Sequence, residues 1–234
     1  MRGSQSFLLG CSASTWGSAW TSLRRKEPAG WIQELYRKRE TTKVESSITP
    51  HKIKISTMVN TNLNGPESHR RYMQLALSEA RKSPPKSTNF CVGACLVSPS
   101  HPVSLLATGY TLECEGNTHA EQCCFIKQAT MYNCSEEELG RRLPEDTVLY
   151  TTMEPCNQRS VGNTPCVDRI LRMRRADGRP VIRKVFVGVA EPVTFVGVNE
   201  GKRKLIDAGV EVIHVPGFEE EILNVATTGH MRAG

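Results

Sequence analysis

No apolar run in this chain of 234 residues approaches the roughly 18 needed to cross a bilayer, so no membrane partner is expected and the protein reads as soluble. Phe7-Leu8-Leu9 is also too short for the apolar core of a secretory signal, about 7 residues or more. The body of the chain lacks a charge bias. Of 30 Lys plus Arg and 24 Asp plus Glu, residues 1–57 hold 10 and 4, which leaves 20 of each for the remainder. Proteins that grip a polynucleotide draw most of their affinity from neutralising phosphates, so a neutral body argues against nucleic acid as the partner. An even-numbered disulfide framework is missing too. Nine cysteines in a chain of ordinary size fit thiols of a reducing compartment, or metal ligands, and point to the cytoplasm.

Regular periodicity is missing from residues 1–57, which read as a disordered basic tail. The first 26 residues carry Arg2, Arg24, Arg25, Lys26 and six serines without one acidic side chain. That composition is similar to a mitochondrial transit peptide, the alternative to a plain solvated tail or to a start at Met58. After Asn64-Gly65-Pro66 the pattern changes. Ser68 is expected to cap a helix in which Met73, Ala76, Leu77 and Ala80 form one stripe, ending before Pro84-Pro85. Strands are expected over Phe90–Val97 and Leu105–Tyr110, paired antiparallel through a turn-rich Ser98–Pro102. A helix from about Thr118 to Tyr132 follows, with Thr118 at its N-cap. Then come a strand Thr147–Thr152, a helix Cys166–Met173 and a strand Lys184–Val189. About 20 residues, including helix-like Glu200–Ala208, separate that strand from Val210–Val215. A connection of that length suits a parallel crossover. The fold class is therefore α/β, a mixed sheet with its last strands parallel, and Glu219 onward adds a terminal helix.

Three chemistry-bearing pieces accompany these elements: His119-Ala120-Glu121 opening a helix, Pro155-Cys156 closing a strand and Cys166 opening the next helix. A catalytic zinc takes three protein ligands and leaves one position for water. His119, Cys156 and Cys166 supply that set, and two thiolates with a neutral imidazole cancel the charge of Zn2+. Glu121 lies two positions past the histidine and so off its helical azimuth. It is placed to take a proton from an activated water and hand it to a ring nitrogen and a departing amine, the acid/base role of zinc deaminases. The order of these motifs, more than any one of them, carries the reading.

On these residues the chain resembles the cytidine-deaminase-like superfamily. Nine residues, Asn157 to Pro165, separate Cys156 from Cys166, where free-nucleoside and tRNA-adenosine deaminases have two. That loop, with Gly116–Glu121, Thr151–Cys156, Val187–Pro192 and Leu205–Val212, is similar to the riboflavin-pathway deaminases over residues 66–230, most of all to the fungal ones. Bacterial relatives have an Asp-Pro-Asn where Glu191-Pro192-Val193 stands here. The resemblance implies a three-layer αβα fold on a five-stranded sheet and a homo-oligomer. It also implies hydrolytic deamination of 2,5-diamino-6-ribitylamino-4(3H)-pyrimidinone 5'-phosphate. A phosphorylated pyrimidine needs a cationic corner, and Arg159 and Asn163 in the long loop are candidates for it. The resemblance adds Asn89 for the sugar, Glu191 for a sugar hydroxyl and the Ala120 N–H for the ring carbonyl. Cys91, Cys95, Cys123 and Cys124 read as buried thiols rather than ligands, and His214 and His230 as structural. A tRNA or cytidine/deoxycytidylate deaminase, and an inactive deaminase-like partner subunit, are the competing readings.

Overall fold

The computed structural model describes residues 65–101, 103–192 and 200–230. The expected basic tail, the start at Met58 and Cys11 lie outside the described residues.

Helix α1, Pro66–Ala80, begins two residues before the expected Ser68 cap. Gly65 occupies the cap and Pro66 the first turn, where a fixed φ and a missing N–H suit a helix start. Strand β1, Gly93–Val97, is shorter than expected. Residues 90–92 are used otherwise: the Cys91 N–H donates to Ala226 O in the C-terminal helix, and Val92 O accepts from the Thr111 N–H. Strand β2, Leu105–Tyr110, leads to helix α2, Ala120–Tyr132. His119, not Thr118, is the N-cap of α2, because the Thr118 hydroxyl donates to Cys114 O instead. A short 3-10 turn, Glu137–Arg141, precedes strand β3, Val148–Met153. Helix α3, Cys166–Arg172, strand β4, Lys184–Val189, helix α4, Gly201–Asp207, strand β5, Glu211–His214, and helix α5, Glu219–Ala226, complete the described chain.

The five strands form one sheet in the order β2-β1-β3-β4-β5. β1 runs antiparallel to both neighbours, with Gly93 opposite Tyr110 and Ala94 opposite Thr151. β3, β4 and β5 are parallel, with Leu149 beside Val185 and Val185 beside Val212. Alternation along each strand divides the core in two. Ala94, Leu96, Leu149, Val185 and Val187 face Phe125, Ile170 and Leu205 of α2, α3 and α4. Cys95, Val97, Tyr150 and Phe186 face Met73 and Leu77 of α1 and Ile222 of α5. A sheet covered on both faces needs apolar residues at nearly every position, which is why β1 and β4 read as continuous apolar runs. Gly109 lets the start of α2 press onto β2: a Cβ there would lie 2.2 Å from Ala120 O.

Candidate active site

The carboxyl ends of parallel strands are where open α/β sheets collect ligands, and the candidate residues gather there. The β3 strand delivers Cys156 three residues past its end, α3 opens on Cys166, and α2 is capped by His119. His119 Nδ1 lies 3.4 Å from Cys156 Sγ and 3.6 Å from Cys166 Sγ. All three donor atoms fall within 4.8 Å of one another, the one such His/Cys/Asp/Glu group among the described residues. A tetrahedral ion with Zn–N near 2.0 Å and Zn–S near 2.3 Å spaces its nitrogen and sulfur ligands about 3.5 Å apart. The donor set and its spacing therefore fit zinc. The Cys166 N–H also points at Cys156 Sγ, at 3.4 Å.

A hydrogen bond from the Cys166 thiol, opposed by burial and aided by His119, holds the Cys156 thiol well below its usual range. Cys166 is pushed up by the same bond and by burial, so the pair carries one readily formed thiolate before a cation adds its field. Glu121 is 3% exposed, with Oε2 3.5 Å from Cys166 Sγ. Burial first, then the charge of Cys156, raises its carboxyl above the ordinary value. A carboxyl so raised holds a proton near neutrality more readily than a solvated one, as a proton carrier must.

His119, Glu121 and Cys156 form one wall of a cavity of about 780 Å3, within the range that takes small organic ligands. Asn89, Arg159 and Glu191 also line it. Asn89 Nδ2 donates to Asn117 Oδ1 at 2.8 Å. Arg159 Nη1 donates to Gln122 Oε1 at 3.0 Å and Nη2 to Asn117 O. Burial, then the charges of Cys156 and Glu121, pushes Glu191 up to about 7. Asn163 is not among the lining residues; its Nδ2 donates to Ser160 Oγ at 3.1 Å within the loop. Ala120 is fully buried as the first residue of α2, which has no side-chain cap.

Asn117, Glu154 and Lys86 line the same cavity and were not singled out from sequence, and His230, read there as structural, lines it too. Asn117 stood inside the motif Gly116–Glu121, a signal within reach. Lys86 and His230 carried none, because only the packing of the C-terminal residues against the 86–90 loop brings them there, with Gly229 against Lys86. His214 Nε2 lies 3.0 Å from Gly188 O and 3.1 Å from Glu219 Oε1, away from this cavity. Cys95, Cys123 and Cys124 are buried, with Cys123 and Cys124 directed at backbone carbonyls of Tyr110 and Ala94. Among the described residues all eight cysteines are free thiols.

A three-layer domain with this strand order, and with one histidine and two cysteines converging beside a buried glutamate, defines the cytidine-deaminase-like class. The family model for the cytidine and deoxycytidylate deaminase zinc-binding region matches residues 66–179. The chain belongs to the family of the Rib2 deaminases. The Rib2 deaminase of Aspergillus oryzae, solved as a C-terminal deletion mutant, is 46% identical with a TM-score of 0.62, over 69% of this chain and 92% of that one. The same enzyme in complex with DARIPP aligns at 44% identity and a TM-score of 0.62, over 71% and 92%. The diaminohydroxyphosphoribosylamino-pyrimidine deaminase of Schizosaccharomyces pombe is 36% identical over 165 residues, 70% of this chain. This chain spans 36% of that curated relative's length. No helix among the described residues is long and apolar enough to cross a membrane.

Proposed function

We propose that the protein is a zinc-dependent aminohydrolase that replaces an exocyclic amine of a phosphorylated pyrimidine by a carbonyl, with 2,5-diamino-6-ribitylamino-4(3H)-pyrimidinone 5'-phosphate as substrate. The observation that carries this reading is the approach of His119, Cys156 and Cys166 within 4.8 Å, with the Glu121 carboxylate 3.5 Å from Cys166. The DARIPP complex of the Aspergillus oryzae enzyme supports the substrate class.

His119, Cys156 and Cys166 would hold the zinc. When bound, zinc supplies Lewis acidity that lowers the pKa of a water toward about 7. Glu121 takes a proton at its carboxylate, donates it to the ring nitrogen next to the reacting carbon, and carries a second to the amine as the C–N bond breaks. Water and substrate in, carbonyl product and ammonia out, balances the reaction. Its raised carboxyl suits both directions of transfer. Arg159 takes phosphate oxygens, Asn89 and Glu191 face the sugar chain, and the Ala120 N–H at the start of α2 is aimed at the ring carbonyl. Asn163 acts through the loop, by its bond to Ser160, rather than from the cavity wall. A homo-oligomer is the assembly proposed, in the cytoplasm.

Glu121→Gln tests this directly. The variant keeps about one zinc per chain by elemental analysis and loses ammonia release by about 100-fold to 10,000-fold. Near-full turnover would remove Glu121 from the mechanism. Arg159→Ala raises KM for the phosphorylated substrate and spares a dephosphorylated analogue.

A further inference from the structure

The loop that carries Arg159 does little to hold it. Val161 is fully exposed, and Gly162 sits at φ 88° with open space where a side chain would be. A long cationic side chain on such a loop would have many rotamers to lose on meeting an anion. Arg159 is nevertheless pinned from across the cavity mouth. Its Nη1 donates to Gln122 Oε1 at 3.0 Å, and its Nη2 to the backbone oxygen of Asn117. A guanidinium has five N–H donors in a fixed plane, so these two contacts set the direction of the other three.

We propose that Gln122 is a positioning residue for phosphate recognition: its carboxamide oxygen holds the Arg159 guanidinium in the plane that meets the phosphate of the substrate. This inference rests on the phosphorylated-substrate reading above. Gln122 follows Glu121 directly on α2, so one helix turn fixes both the proton carrier and the distance from it to the anionic end of the substrate. Asn117 completes the frame, because its side-chain oxygen accepts from Asn89 while its backbone oxygen accepts from Arg159. The advantage is preorganisation: the ordering of Arg159 is completed before binding. The neutral amide does this without the negative charge that a glutamate would bring to compete with phosphate.

The test is a double-mutant cycle of Gln122→Met and Arg159→Ala on the full chain with zinc bound. Steady-state KM is read on phosphorylated substrate and on its dephosphorylated analogue, and inorganic phosphate serves as a competitive probe. Methionine keeps the length of glutamine and removes the acceptor. Gln122→Met is expected to raise KM for the phosphorylated substrate, and Ki for inorganic phosphate, about ten-fold, the loss of one charge-assisted hydrogen bond. KM for the analogue stays within about two-fold, and in the Arg159→Ala background the Gln122 change adds nothing. If Gln122→Met shifts both substrates equally, or adds in full to Arg159→Ala, the positioning role is overturned while phosphate recognition by Arg159 stands. If Arg159→Ala itself shifts both substrates equally, the phosphate reading falls, and this inference with it.

Discussion

Asp146 shows how one carboxylate links loop geometry to acid stability. Ser98 is fully buried and its hydroxyl donates to Asp146 Oδ1 at 2.5 Å, while the Ser100 N–H donates to Oδ2 at 2.6 Å. Together they tie the β1–β2 turn to the segment before β3. Burial works against the charge, but these hydrogen bonds outweigh it and lower the carboxyl below its ordinary 3.8. A depressed carboxyl contributes stability in full above the unfolded value, and that contribution is lost as pH falls through the folded value. Asp146→Asn is therefore expected to lower Tm at neutral pH and to approach the parent below about pH 4. Parallel melts between pH 7 and pH 3 check this, and a constant gap across the range would contradict it. The same residue scale explains why Glu121 is suited to its proposed work. Burial that would be a liability for a structural carboxylate raises its carboxyl above the ordinary value and so favours its holding a proton.

Elements place these residues, and α2 is pressed closely onto β2 at Gly109. With the Cβ of an alanine at position 109 only 2.2 Å from Ala120 O and 3.1 Å from the Cys123 Cβ, the start of α2 would have to move. His119 caps that helix and Glu121 lies in its first turn, so movement there is transmitted to the proposed metal ligand and the proposed proton carrier. Gly109→Ala is expected to cost about 1–3 kcal/mol of stability and to weaken zinc retention in dialysis against a chelator. Retention equal to the parent's would separate the packing from the site. Why α2 was legible in the sequence and parts of its surroundings were not follows from the range of the interactions. The β2 and β4 bounds match the expected Leu105–Tyr110 and Lys184–Val189, and the parallel ending follows from the length of the β4–β5 connection. The start of β1 was misplaced because the Cys91 N–H pairs with Ala226, 135 positions away by number, which no local pattern records. At the site, the order of His119, Glu121, Cys156 and Cys166 carried its own chemistry, whereas Lys86 and His230 reach the cavity only through tertiary packing.

At the scale of the whole molecule, the proposed zinc site joins parts of the chain that are distant in sequence. His119 is 37 positions from Cys156 and 47 from Cys166, and the three come from the start of α2, the loop after β3 and the start of α3. A ligand that binds only the folded arrangement stabilises it by mass action, about 2.7 kcal/mol at one hundred times its dissociation constant. For a domain of this size each kcal/mol corresponds to roughly 2–4 °C of melting temperature. Chelation under reducing conditions is thus expected to lower Tm by about 5–10 °C, with zinc restoring it and Cys156→Ala showing no response. An unchanged Tm in the parent would mean that the three side chains bind no ion in solution.

Charge distribution makes the second whole-molecule argument, about the partner. The excess of six positive charges equals the excess within residues 1–57, 10 basic against 4 acidic, and the rest of the chain is balanced at 20 and 20. A small phosphate held mainly by Arg159 carries no condensed counterion atmosphere to release, so its affinity should fall only shallowly between about 50 and 200 mM salt, through ordinary screening. A single-stranded nucleic acid bound through four phosphates would lose about fifty-fold over the same range. The protein starting at Met58 is therefore expected to keep its kcat/KM on the phosphorylated pyrimidine, with the same shallow salt dependence as the full chain. A steep dependence that disappears with residues 1–57 would instead assign the basic segment to a polyanionic substrate, because only a contact spread over several cations releases that many counterions.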